Sequence, residues 1–220
     1  MNAIAKEVAS SYHDAIPPGV VVIDGFSPYP DAARQSALDA GFGTWRPNKG
    51  EIGSSVYEGM SFWGNHSMML SPLMWHMGAQ CVPNSMFFRS TCAGFEGAYV
   101  HSDRESGDFT CVVFLSHHED EGSGTAFWRH RQTGLHRMPS FAEMAAEPER
   151  FAQLRADMVN PTPDAWEQVA FIPGVFNRAV IFEAPLFHSR VPREGFGSTP
   201  EEGRMVWVSH FHLLRGPEHG

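Results

Sequence analysis

Residues 96–116 read EGAYVHSDRESGDFTCVVFLS. A short apolar run, a His-x-Asp pair, a glycine-bounded polar turn and a β-branched, aromatic run follow one another here. Both apolar runs have strand length, and the turn residues between them predict strands over 96–101 and 109–116. Working outward, comparable runs bounded by glycine or charged turns predict strands over 86–91, 124–131, 178–184 and 203–213, with a further one in GVVVIDG, residues 18–24. Residues 30–41, PDAARQSALDAG, carry Ala and Leu at helical spacing. Pro30 fits the first turn of that helix, Asp31 its cap and Gly41 its end. A second helix is expected around 67–78, with Met68, Met69, Leu70 and Trp75 as core, and a helix interrupted near Pro148 over 139–156. The expected class is mainly β (α+β): one domain over 1–220, with an α/β support region at 18–80, a jelly-roll core at 86–213 and a helical insert at 136–170.

Composition narrows the function. Sixteen basic residues against 25 acidic ones give a net charge of −9 over 220 residues, which argues against a nucleic-acid backbone as partner. No apolar run approaches the roughly 18 residues of a membrane-crossing helix. The first 20 residues hold no continuous apolar stretch, so no secretory leader is expected. Cys81, Cys92 and Cys111 are odd in number and far apart, matching neither a disulfide framework nor a zinc ribbon, and a reducing, cytoplasmic setting follows. No Ser or Cys sits in a nucleophile elbow, and no glycine-rich phosphate fingerprint is present.

The chemistry is then sought among the 12 histidines. His-x-Asp/Glu occurs three times, at His101/Asp103, His117/Glu119 and His118/Asp120. The last two lie in HHEDEG, residues 117–122, which reads as a solvated hairpin loop. His101 and Asp103 follow a strand, where residues i and i+2 share a face, so an imidazole and a carboxylate stand side by side near a strand end. Iron(II) suits that pair plus one more histidine, leaving three coordination positions open. His188, after the apolar run 178–187, is a candidate for the third place, with His130, His136, His210 and His212 as competitors. Arg204 opens RMVWVSHF, residues 204–211, and an inward-facing Arg needs an anion. Its fork suits a carboxylate; Arg190 and Arg193 are rivals. Trp128, His130 and Arg131 are candidates for a pocket that takes an acidic substrate group.

The order of these motifs resembles the iron(II)/2-oxoglutarate-dependent oxygenases. Four segments carry the resemblance: YVHSD at 99–103; FTCVVFL at 109–115 followed by GSGTAF at 122–127; the strand 178–188 ending in His188; and Gly203-Arg204, with Arg204 sixteen residues after His188. VVIDGF at 21–26 with PDAAR at 30–34 looks like the N-terminal strand and helix of prolyl-hydroxylase-like members, and GTAFWRHRQTG at 124–134 is similar to an uncharacterised bacterial subgroup. The resemblance implies a double-stranded β-helix, with His101, Asp103 and His188 as ligands of Fe(II). It also implies 2-oxoglutarate and O2 as co-substrates, Arg204 on the far carboxylate, and C–H hydroxylation of a small molecule or of a peptide or protein side chain. Two departures stand out. The 85 residues between Asp103 and His188 are a long gap, which the insert accounts for. The family's Arg-x-Ser is Arg204-Met205-Val206 here, which leaves Tyr99 or Thr110 to supply the missing hydroxyl. A cupin-like metalloenzyme that does not use 2-oxoglutarate and a non-catalytic ligand-binding barrel are the competing classes.

Overall fold

Ten strands organise the computed structural model, which describes residues 16–45, 57–95, 99–117, 122–159 and 162–214. They are β1 (Val20–Ile23), β2 (Gly43–Trp45), β3 (Tyr57–Ser61), β4 (Cys81–Thr91), β5 (Phe109–Phe114), β6 (Gly124–His130), β7 (Trp166–Pro173), β8 (Ala179–Glu183), β9 (His188–Val191) and β10 (Arg204–Leu213). Seven form one antiparallel sheet in the order β1-β8-β5-β10-β4-β3-β2, and three form a second, β7-β6-β9. The helices are α1 (Pro30–Ala40), α2 (Ser67–Met77), α3 (Phe141–Ala146) and α4 (Ala152–Val159). None of these is long and apolar enough to cross a membrane.

The two-residue period of β10 builds the layers. Met205 and Trp207 face one side and join Phe88, Val113 and Ile181 against Ala33 and Ala37 of α1 and Met69 and Leu73 of α2. Val206 faces the other side, and with Phe114, Val180 and Phe182 meets Phe127, Ala170 and Ile172 of the smaller sheet. The outer face of the smaller sheet is covered in turn by Phe151 and Leu154, which pack on Trp166 and Phe187. Gly124 lets β6 close on β7, since a Cβ there would stand 2.2 Å from the Ile172 carbonyl oxygen.

Local chemistry explains the helices. Pro72 sits inside α2 and cannot donate to the carbonyl of Met68. The buried Ser27 hydroxyl donates to that oxygen instead, at 2.8 Å. The start of α3 is a capping box, with Ser140 and Glu143 each accepting from the other's backbone N–H. In α1, Tyr29 rather than Asp31 occupies the cap, and Asp31 lies in the first turn, 3.1 Å from His117. Trp75, expected in the core, is 61% exposed, while Met69 and Leu73 supply the buried stripe at i, i+4 spacing.

Several expectations change. Residues 99–100 are not in a strand, and His101 makes only an isolated bridge to His188; residues 96–98 lie outside the described residues, as do 118–120 of the other His-x-acid pairs. The chain turns through Asp103–Ser106, where Ser106 N–H donates to the Asp103 carbonyl, so the run cannot continue as a ladder. The insert does not reach 170, because Trp166–Ala170 belong to β7, whose register slips against β6 between Phe127 and Trp128. Strands β2, β3 and β9 are three to five residues long and too short to show a period.

Candidate metal centre

Backbone pairing assembles the site. His101 and His188 exchange N–H···O bonds of 3.0 and 2.9 Å, and Asp103 N–H donates to the Ala184 carbonyl at 2.8 Å. Three side chains converge as a result: the candidate donor atoms of His101, Asp103 and His188 all lie within 4.8 Å of one another. His188 Nε2 is 3.2 Å from Asp103 Oδ2, and His101 Nε2 is 3.7 Å from Oδ1. The Nδ1 atoms of both imidazoles are spoken for. That of His101 donates to the Tyr99 carbonyl at 2.8 Å, and that of His188 to the Leu186 carbonyl at 2.9 Å. A proton fixed on Nδ1 leaves Nε2 as the atom that offers a lone pair.

Electrostatics sorts the protons. Desolvation, then the neighbouring His188, lower the His101 imidazole, although half of that side chain faces solvent. Burial alone would lower His188, but the Asp103 carboxylate outweighs it and raises that imidazole. Burial alone would raise Asp103, but His188, His210 and His101 outweigh it and hold the carboxyl well below its ordinary range. The site therefore carries an ionised carboxylate between imidazoles. Phe182 packs its ring 4.6 Å from that of His188, giving the site a dry wall.

Arg204 lies at the other end of β10, on the same inward face as Val206 and His210. It is 4% exposed; its Nη2 donates to the Gly124 carbonyl at 3.0 Å, and its Nε has no hydrogen-bond partner among the described residues. Desolvation, then Arg190 and Arg89, push its guanidinium down to about 9. Directly across on β4 stands Thr91, fully buried, whose Oγ1 also lacks a partner among the described residues. Two buried groups, one on each of two paired strands, thus lack a hydrogen-bond partner among the described residues.

The remaining candidates fall elsewhere. Thr110 is opposite His210, six positions along β10 from Arg204, and its hydroxyl donates to Asp103 Oδ2 at 2.8 Å. It does not partner Arg204. Neither does Tyr99, which is 50% exposed and lies under Arg193. His130 is fully buried between Asp157, at 3.1 Å, and Thr133, at 2.9 Å, and together with Arg131 it lines a hollow bordered by Gln153 and Thr162. Trp128 donates to Ser189 at 3.0 Å, and Arg131 to the Trp166 carbonyl at 3.2 Å. These bonds tie β6 and the turn after it to the neighbouring strands β9 and β7. Thr91 and the hydrogen bond from His210 to Asp103 were missed, since each depends on cross-strand register.

Comparison with solved structures places the architecture. The fold is similar to that of AviO1 from Streptomyces viridochromogenes Tue57 (TM-score 0.54, 14% identity, 99% of this chain and 98% of that one). It is also similar to SnoK, a non-heme alpha ketoglutarate dependent carbocyclase from nogalamycin biosynthesis (TM-score 0.51, 13% identity, 96% and 84% covered). A third similar structure is the epimerase SnoN in complex with Fe3+, alpha ketoglutarate and nogalamycin RO (TM-score 0.51, 14% identity, 94% and 82% covered). At these identities the likeness is one of fold. No curated protein sequence matches the chain. A family profile described as "Family of unknown function (DUF6445)" matches residues 98–211, a span that begins just before His101 and ends just after His210, and the chain belongs to that family.

Proposed function

We propose that this protein is an iron(II)- and 2-oxoglutarate-dependent oxygenase with a double-stranded β-helix core, one such domain spanning the chain. The observation that carries the reading is the His101–Asp103–His188 group, with both Nδ1 atoms bound to backbone carbonyls. Two imidazole nitrogens and one ionised carboxylate form the donor set that suits iron(II) with open positions. The unpartnered, buried Arg204 Nε and Thr91 Oγ1 fit the far carboxylate of 2-oxoglutarate. The fold shared with SnoK and SnoN, both 2-oxoglutarate-dependent by name, supports the same reading.

His101, Asp103 and His188 would hold the metal, and Arg204 with Thr91 would anchor the co-substrate. When bound, iron(II) and 2-oxoglutarate would supply, with dioxygen, a decarboxylating oxidation that yields succinate, carbon dioxide and the oxidising power for a C–H bond. The chain's own work is positioning and exclusion of water. Phe127 and Phe182, edge-to-face at 5.3 Å, keep bulk water from the His188 side. The substrate class is a C–H-bearing small molecule or an amino-acid or peptide side chain, and hydroxylation is the expected outcome.

The test is succinate formation from 2-oxoglutarate by purified protein with iron(II) and air, without added substrate. Slow, iron-dependent turnover that disappears in His188→Ala is expected. Succinate formation that is unchanged in His188→Ala would contradict the assignment.

A further inference from the structure

The metal centre contains a third imidazole close to the carboxylate. His210 Nε2 lies 3.3 Å from Asp103 Oδ2, almost as near as His188 Nε2 at 3.2 Å. Distance alone does not separate a ligand from a neighbour, but the hydrogen bonds at the far nitrogens do. In His101 and His188, Nδ1 meets a backbone carbonyl, which only accepts, so Nδ1 carries the proton and Nε2 the lone pair. In His210, Nδ1 meets the Ser85 hydroxyl at 2.6 Å. A hydroxyl can donate as well as accept, so His210, unlike the other two rings, is free to keep its proton on Nε2, toward Asp103. In that tautomer the lone pair is on Nδ1, where Ser85 Oγ–H donates.

Strand register places these groups in one row. Thr110 on β5 and Ser85 on β4 are the residues directly opposite His210 on β10, one on each side. Thr110 Oγ1 donates to the same Oδ2 at 2.8 Å. The row is mostly buried: Thr110 is 1% exposed, and the His210 side chain is 12% exposed, with Phe87 packed 6.0 Å from its ring.

We infer that the cross-strand row Thr110–His210–Ser85 is a positioning device for Asp103. Thr110 and His210 donate to Oδ2, Ser85 sets the His210 tautomer, and His210 is thereby a hydrogen-bond donor and not a metal ligand. The inference rests on the reading of Asp103 as a ligand. Two donors on one carboxylate oxygen hold the side chain in a single rotamer before the metal arrives and keep its charge in place. Removing either donor frees the carboxylate to rotate, and groups that orient a ligand in this way are worth roughly 10–100-fold in metal affinity.

The experiment is a Co(II) titration of purified protein followed by visible absorption, with Cu(II) electron paramagnetic resonance to count nitrogen ligands. Thr110→Val, which keeps the shape of the side chain, and His210→Ala should each weaken Co(II) binding about 10–100-fold. The Cu(II) nitrogen pattern should stay that of the parent protein. Ser85→Ala should show a smaller loss, and His210→Gln, which restores a side-chain N–H, should recover part of the affinity. Unchanged Co(II) affinity in both Thr110→Val and His210→Ala would overturn the inference. Loss of one nitrogen from the Cu(II) spectrum of His210→Ala would overturn it differently, by making His210 a ligand. Failure of the parent protein to take up Co(II) at all would overturn the metal-centre reading together with this one.

Discussion

Arg204 and Thr91 show how much a single pair of residues can specify. A buried guanidinium costs several kcal/mol unless an anion meets it, and Arg204 has Arg190 and Arg89 as its electrostatic neighbours. Thr91 adds a hydroxyl with nothing to donate to among the described residues. A carboxylate satisfies both. A hydrogen bond to a charged group is worth about 1.5–3 kcal/mol, so Thr91→Val should weaken 2-oxoglutarate binding roughly 10–100-fold. Thr91→Ser should bind near the parental level, and equilibrium titration with iron(II) present and air excluded measures both. Equal affinity of Thr91→Val and parent would remove Thr91 from the clamp. Part of this site was legible in the sequence. The i, i+2 spacing of His101 and Asp103 placed an imidazole beside a carboxylate, although the two meet at a bridge and turn instead of on a regular strand. The hydroxyl opposite Arg204 was not legible, because the β10–β4 register joins residues 113 positions apart. The Arg-x-Ser pattern directs attention to β10 itself, whereas the group that faces Arg204 comes from the neighbouring strand.

At the scale of elements, the segment between β6 and β7 is anchored by a buried pair. His130 at the end of β6 is fully buried and meets Asp157 of α4 at 3.1 Å, while Gln153 donates to the other Asp157 oxygen at 3.0 Å. Burial alone would raise the Asp157 carboxyl, but hydrogen bonds from His130, Gln153 and Thr162 outweigh it and hold it below its ordinary value. A carboxylate lowered in the folded state contributes stability above its unfolded pKa and loses it as pH falls through the folded value. Asp157→Asn should therefore lower the melting temperature at pH 7, with a cost of about 1–3 kcal/mol for the buried donors left poorly matched. The gap between variant and parent should close in acid, below the ordinary carboxylate range. Melts from pH 7 to pH 3 decide the matter, and a gap that widens in acid would show that the pair does not act as a carboxylate anchor. The helices of this segment were legible from their composition and from the break at Pro148. The strand that follows was not. WEQVAFIP follows PTPDA in the sequence, and a one-residue slip of register in β7 obscures its alternation.

For the whole molecule, the seven-stranded sheet carries the candidate site residues on one face and the supporting helices on the other. Helices α1 and α2 cover one face, while the other packs on the smaller sheet and carries Thr91, Arg204, Thr110 and His210. Long strands with dense apolar patterning, such as β10 and β5, were legible; strands of only three to five residues, β2, β3 and β9, were not. Phe182 joins the two functions, since it is fully buried in the inter-sheet core and packs against His188. Phe182→Ala should cost about 3–5 kcal/mol of stability. Added iron(II) should recover part of that loss by binding the folded state, and thermal melts with and without metal measure both effects.

The central claim is a metal centre that binds iron(II) and 2-oxoglutarate together. It is tested most directly by the anaerobic visible spectrum of the purified protein. The expected result is a weak charge-transfer band that appears only when iron(II) and 2-oxoglutarate are both present and is absent in Asp103→Ala. Bound iron with no such band on adding 2-oxoglutarate would contradict the claim and make Arg204 something other than the anchor of this co-substrate.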